Sequence, residues 1–97
     1  MIRFFRDRGT EDIFDGTNSA SARKKWPKDL RPPARRKLDQ INRAAIVQDL
    51  AVPPGNRLER LKGDREGQLS IRINDQYRVC FRWENGDAFD VEITDYH

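Results

Sequence analysis

Ninety-seven residues, 36% hydrophobic and 36% charged, are enough for one domain over residues 1–97 built on a small core, and they exclude a multidomain machine. No run approaches the roughly 18 apolar residues of a membrane span, and no signal peptide is recognised in "MIRFFRDRG", so a cytoplasmic protein is expected. One cysteine and one histidine exclude a disulfide framework and a Cys/His zinc site, and neither a metal nor another cofactor is expected.

In chain order, "IRFFR" (2–6) is apolar and aromatic enough for a first strand. Gly9-Thr10 offers a break and an N-cap for a short helix over "EDIFD". "GTNSASA" (16–22) is small and polar and reads as a flexible loop. The stretch from Asp29 to Leu50 starts with a cap candidate, Asp29, and with prolines near the first turn, where the missing N–H is harmless. Ala34, Leu38, Ile41 and Ala45 then form one stripe of an amphipathic helix, with Arg35, Arg36, Lys37 and Arg43 mostly off it. "VPPGN" ends the helical region.

From residue 57 the apolar period changes to two. "NRLERLKG" reads as a strand with imperfect alternation. In "QLSIRIN", Leu69, Ile71 and Ile73 face one way, and in "YRVCFRW" Tyr77, Val79, Phe81 and Trp83 do so. "NDQ" signals a tight turn, and Asn85-Gly86 is a strong hairpin signal. In "AFDVEITDY", Phe89, Val91 and Ile93 are expected inward, with Asp90, Glu92, Thr94 and Tyr96 outward. The predicted fold class is α+β: two N-terminal helices packed on a small twisted antiparallel sheet, in the order β-α-α-β-β-β-β.

Charge adds a functional hint. The net charge is only +3, yet residues 23–43 hold nine basic and two acidic side chains. Arginines outnumber lysines 14 to 5, and the planar guanidinium fork suits phosphate. This favours a nucleic-acid partner, the plain alternative being a solvated helix face. The sheet's polar face is predicted to carry Arg72, Arg78 and Arg82, with Asp90, Glu92 and Tyr96 nearby; cross-strand ion pairs account for part of that pattern. RNA cleavage by the substrate's own 2′-OH needs a group to remove the 2′ proton, charge stabilisation at phosphorus and protonation of the leaving 5′ oxygen. A histidine can act as acid or base, arginines stabilise the phosphoryl charge, and an aromatic ring can stack a splayed base. The chain holds all three. His97, its only histidine, follows a segment expected to be a paired strand, which would tether it.

The runs "LKGDREG", "SIRINDQYR" and the terminal "DYH", together with "MIRFF", resemble the HigB-type toxins of the RelE superfamily, from bacterial type II toxin–antitoxin modules. The similarity covers essentially the whole chain. What it implies is a toxin that enters the ribosomal A site and cuts mRNA there, two helices on an antiparallel sheet whose open face is the active site, and a helix-turn-helix antitoxin of HigA type that with the toxin represses its operon. Carried over, Asp95, Tyr96 and His97 correspond to the terminal catalytic cluster. Lys62 corresponds to a site lysine, and Arg78 to a phosphate and transition-state contact. Relatives can carry a second active-site histidine a few residues before "LKG"; Glu59 stands in that neighbourhood here. A two-histidine scheme is therefore excluded: either Glu59 serves as a base, or cleavage is slow.

Arg65, Arg72 and Arg82 are expected to contact RNA from the sheet, and Lys24, Lys25, Arg35, Arg36 and Lys37 to meet ribosomal RNA. Trp26 reads as a hydrophobic anchor, Phe81, Trp83 and Phe89 as core, and Cys80 as structural. Two other functions fit less of the chain. One is a growth inhibitor that binds the ribosome without cutting. The other is a DNA-binding regulator, which lacks a helix-turn-helix turn; DNA contact through an antitoxin remains compatible with the chain.

Overall fold

A computed structural model of the chain describes residues 1–95. Its helices are α1 (Arg8–Asp15), α2 (Ala20–Lys25) and α3 (Arg31–Arg43), and its strands are β1 (Glu59–Arg60), β2 (Leu69–Arg72), β3 (Tyr77–Glu84) and β4 (Asp87–Asp95). The strands form one antiparallel sheet in the order β1-β2-β3-β4. The α+β class is as expected; three helices replace two.

Local chemistry accounts for the helix ends. Asp7, not Thr10, caps α1, its Oδ1 accepting the Thr10 N–H at 2.7 Å. The Thr10 hydroxyl instead donates to Asp7 and accepts the Ile93 N–H at 3.1 Å, which ties α1 to β4. Gly16 closes α1 at φ 75°, a left-handed conformation natural to glycine. The segment expected to be a flexible loop holds α2, capped by Ser19, whose Oγ accepts the Ala22 N–H. Asp29 lies in a 3-10 turn rather than at a helix cap, and α3 starts with Pro32 and Pro33 in its first turn. Its stripe is buried at Ala34, Leu38 and Ile41; Ala44, not the exposed Ala45, completes it because the helix stops at Arg43.

That stripe packs on Ile71, Val79, Phe81, Val91 and Ile93, with Ile13, Ala22, Trp26 and Leu30 from the other helical segments closing the core. Tyr77 stacks edge-on against Trp26 at 5.7 Å. The helices therefore cover one face of the sheet and leave the other for polar side chains.

Two expectations fail for a single reason, an irregularity in β4. The β3–β4 register runs Arg78↔Thr94 and Cys80↔Glu92, then shifts to Arg82↔Phe89 and Trp83↔Ala88, with Asp90 at φ 54° inside the shift. A bulge reverses which side chains point inward beyond it. Ala88 faces the core, whereas Phe89 joins Arg82 on the polar face, where the Arg82 guanidinium lies 5.5 Å from its ring. Phe89 is thus not a core residue, and Trp83 is only partly buried at the core's edge. The same bulge interrupts the ladder that residues 2–6 would make: they run parallel to β4 but pair with it through their backbone as two isolated bridges, Ile2↔Ala88 and Phe5↔Val91. No first strand forms there. The Ile2 N–H is anchored to Asn42 Oδ1 on α3 at 2.9 Å.

Candidate active site

The polar face of the sheet collects the side chains whose register partners run Glu59↔Ser70↔Cys80↔Glu92 and Arg72↔Arg78↔Thr94. Arg78 sits at its centre, only 8% exposed. A buried cation needs several partners, and the fold supplies them: Nε donates to Ser70 Oγ at 2.8 Å, Nη2 to the Arg57 carbonyl at 2.7 Å, and the Glu59 carboxylate lies 3.5 Å away. The guanidinium is therefore held at fixed orientation, as a group meant to meet a particular oxyanion would need to be. Glu59 is exposed at the start of β1, beside Arg78.

The loop between β1 and β2 folds back over this face. Arg65 donates to Glu92 Oε1 at 2.6 Å and to Gln68 Oε1 at 3.0 Å, and Arg6 approaches Glu92 at 3.6 Å. Lys62 precedes the 3-10 turn Gly63–Arg65 and is exposed. Arg72 pairs with Asp75 in the β2–β3 turn. Arg82 donates to Asp90 at 2.7 Å and to Glu84 at 3.1 Å, the Asp90 hydrogen bond holding its pKa above the usual range. Asp95 ends β4 opposite Tyr77, on the core-face register, and accepts from Gln76 Nε2 at 3.0 Å. Tyr96 and His97 lie outside the described residues.

Cys80 is fully buried on the polar-face register. Burial pushes its thiol pKa up, so it is not poised as a thiolate.

The basic residues of the helical layer are elsewhere and divide into two groups. Lys24, Lys25, Arg35 and Arg36 are exposed; Lys25 also pairs with Asp7 at 3.8 Å and lies over the Trp26 ring, and the Arg35 guanidinium packs against Gly16. Arg31, Arg35 and Arg36 line a groove of about 700 Å³ between α1 and α3. Lys37 turns inward instead: its ammonium donates to Asn56 Oδ1 at 2.5 Å, and burial first, then Arg36 and Arg72, lowers its pKa. An internal contact already uses the charge that sequence patterning assigned to RNA.

The structure thus brings Glu59, Arg65, Arg72, Arg78 and Arg82 onto one face, with Lys62 on the adjoining loop. It places Lys24, Lys25, Arg35 and Arg36 in the other layer. Sequence reasoning missed Ser70 and the Arg57 carbonyl as groups that hold Arg78; it expected Arg82 to pair with Asp90 or Glu92, and the structure gives Arg82 to Asp90 and Glu92 to Arg65. Ser70 carried a signal, its outward phase in the period-two pattern; a backbone carbonyl carries none.

Residues 3–97 match the family model of the HigB-like toxins, described as RelE-like toxins of the type II toxin–antitoxin system HigB. The chain belongs to that family. Among its HigB relatives, toxin HigB-1 of Vibrio cholerae serotype O1 is 35% identical over 93 residues, covering 96% of this chain and 95% of that one. Endoribonuclease HigB of Proteus vulgaris is 31% identical over 103 aligned positions that span both chains entirely. The fold is similar to that in the YoeB-YefM complex from Staphylococcus aureus, at a TM-score of 0.56 and 15% identity, over 100% of this chain and 98% of that one. At that identity the likeness speaks for architecture alone. Among the described residues no helix is long and apolar enough to cross a membrane.

Proposed function

We propose that this HigB-family toxin is an endoribonuclease that cuts mRNA on the ribosome by attack of the substrate's own 2′-OH, without a metal. The observation that carries the proposal is the Arg78 guanidinium, buried and fixed on the face of the sheet away from the helices, beside Glu59. A relative named as an endoribonuclease, matched along its full length, supports RNA cleavage. In this scheme Arg78 stabilises charge on the phosphorane, and Arg65, Arg72 and Arg82 flank the RNA backbone. His97 serves as acid or base, Tyr96 stacks or hydrogen-bonds the RNA, and Asp95 orients the terminal pair. Glu59 is the second proton-transfer group and Lys62 an electrostatic contact. The exposed Lys24, Lys25, Arg35 and Arg36 meet ribosomal RNA, with Lys37 contributing only through the residues it supports.

An antitoxin of HigA type, with a helix-turn-helix domain, neutralises the toxin, and the pair binds operator DNA through the antitoxin. Cytoplasmic action follows from the ribosomal substrate.

Purified protein added to programmed ribosomes tests this directly. Cleaved mRNA with a 2′,3′-cyclic phosphate end, insensitive to chelators, is the expected product, and His97→Ala abolishes it and the growth inhibition while leaving the fold intact. Inhibition of translation with intact mRNA would instead establish a toxin that binds the ribosome without cutting.

A further inference from the structure

Two of the groups around Arg78, the Arg57 carbonyl and the Glu59 carboxylate, come from one short segment that enters β1. That segment has little regular structure of its own. A 3-10 turn over Pro54–Asn56 ends at Arg57, whose φ of 47° is left-handed and uncommon for a long side chain. A non-glycine residue persists in that region only where the surrounding structure fixes it.

The holding group is Asn56. Its side chain is fully buried and fully engaged: Nδ2 donates to Gln40 Oε1 at 2.9 Å and to the Leu50 carbonyl at 3.1 Å, and Oδ1 accepts from Lys37 Nζ at 2.5 Å. Lys37 and Gln40 are one helical turn apart on α3, so one rigid element supplies two of the three bonds. A carboxamide is the side chain that can give both Nδ2 hydrogens while accepting an ammonium at its oxygen.

We infer that Asn56 is a positioning residue for Arg78. It bolts the 53–57 turn to α3, fixes the left-handed Arg57, and so aims the carbonyl that orients the guanidinium. The chain of contacts runs from Lys37 and Gln40 through Asn56 and the Arg57 backbone to Arg78, from the helical layer to the opposite face of the sheet. An arginine side chain otherwise samples many rotamers, and a fixed fork loses less of its strength when charge develops in front of it. The consequence for catalysis rests on the nuclease proposal; the position of the guanidinium does not.

The experiment therefore has two arms, both on the full chain. In the toxin without RNA, the Arg78 Nε–Hε resonance reports the clamp by NMR. Asn56→Ala is expected to shift that resonance and to speed its exchange with water at least tenfold, on the order of one hydrogen bond's contribution, with Lys37→Met giving a smaller change in the same direction. Ile13→Val, a core change remote from the turn, supplies the control for loss of stability and leaves the resonance in place. In the second arm, the single-turnover cleavage constant on programmed ribosomes falls about a hundredfold in Asn56→Ala while the half-saturating toxin concentration is unchanged. An unmoved Arg78 resonance in Asn56→Ala, or an equal shift in the Ile13→Val control, overturns the inference. A moved resonance in a protein that cleaves nothing, wild type included, leaves the clamp standing and removes the nuclease reading instead.

Discussion

The two basic regions of this toxin treat their charge in opposite ways. On the sheet's polar face and the loop over it, Arg65, Arg72, Arg78 and Arg82 are each bonded to a carboxylate, a hydroxyl or a carbonyl, and Arg78 is buried. On α3, Arg35 and Arg36 are exposed and make no ion pair with any described residue. A held guanidinium acts through its position, whereas a loose one acts through its field and is screened by salt. The first suits chemistry at one phosphorus atom, the second suits adhesion to a polyanion.

That contrast is exposed to test at four points. The largest effect is expected at Arg78. Replacement by Ala should lower single-turnover cleavage about 10²- to 10³-fold, the scale of losing one donor to a developing oxyanion. Arg78→Lys should rescue little, because an ammonium cannot serve Ser70 Oγ and the Arg57 carbonyl in the fork's geometry. Near-normal cleavage by the Lys variant would mean that position is unimportant there.

Leu38→Ala comes next and acts on stability. It removes a fully buried side chain between the two layers and should cost about 2–5 kcal/mol in urea unfolding. Cleavage below the melting range should persist, since the clamp around Arg78 does not include Leu38. A loss of cleavage in fully folded protein would show the two regions to be coupled more tightly than their packing indicates.

Arg35→Ala with Arg36→Ala should weaken ribosome binding and flatten its salt dependence, by roughly 0.7–0.9 in log–log slope for each phosphate that is no longer neutralised. The cleavage constant at saturation should stay the same. A salt slope identical to wild type would remove these arginines from the ribosome interface.

The smallest effect concerns the Arg3–Asp87 pair at the hairpin end, where the Arg3 hydrogen bond holds the Asp87 pKa below its usual value. A carboxylate pKa lowered in the folded state gives stability that is present above the unfolded value and is lost as pH falls through the folded one. Unfolding followed downward from about pH 4 should therefore be slightly steeper in wild type than in Arg3→Gln. Superimposable curves would mean that the exposed pair contributes nothing.

Much of this architecture was legible in the amino-acid order. Leu69, Ile71, Val79 and Phe81 alternate as half-buried strands must, Asn85-Gly86 accepts the two positive φ angles of its hairpin, and Ala34, Leu38 and Ile41 recur at the helical period. Phe89 misled, because alternation is counted from the last known residue and a single bulge at Asp90 resets the count. The loop expected over 16–22 was half helix, because six residues are too few to show a period and only the Ser19 cap announced them.

The candidate site divides the same way. Arg78, Glu59, Lys62 and the terminal Asp-Tyr-His run stood out by residue type and by family resemblance, since chemistry is written in side chains. Most of what holds Arg78 did not, because beyond Ser70 it depends on the Arg57 carbonyl and, behind it, on the buried Asn56 amide, both distant in sequence. Hydrophobic period, turn residues and charge type are local quantities, and the sequence alone determined them: the α+β class, the stripe of α3, the hairpin and the arginine bias. Which arginine is clamped, which lysine turns inward to Asn56 and which phenylalanine faces out were decided only in three dimensions, because each depends on a partner that the fold, not the neighbouring residues, brings within hydrogen-bond or van der Waals reach.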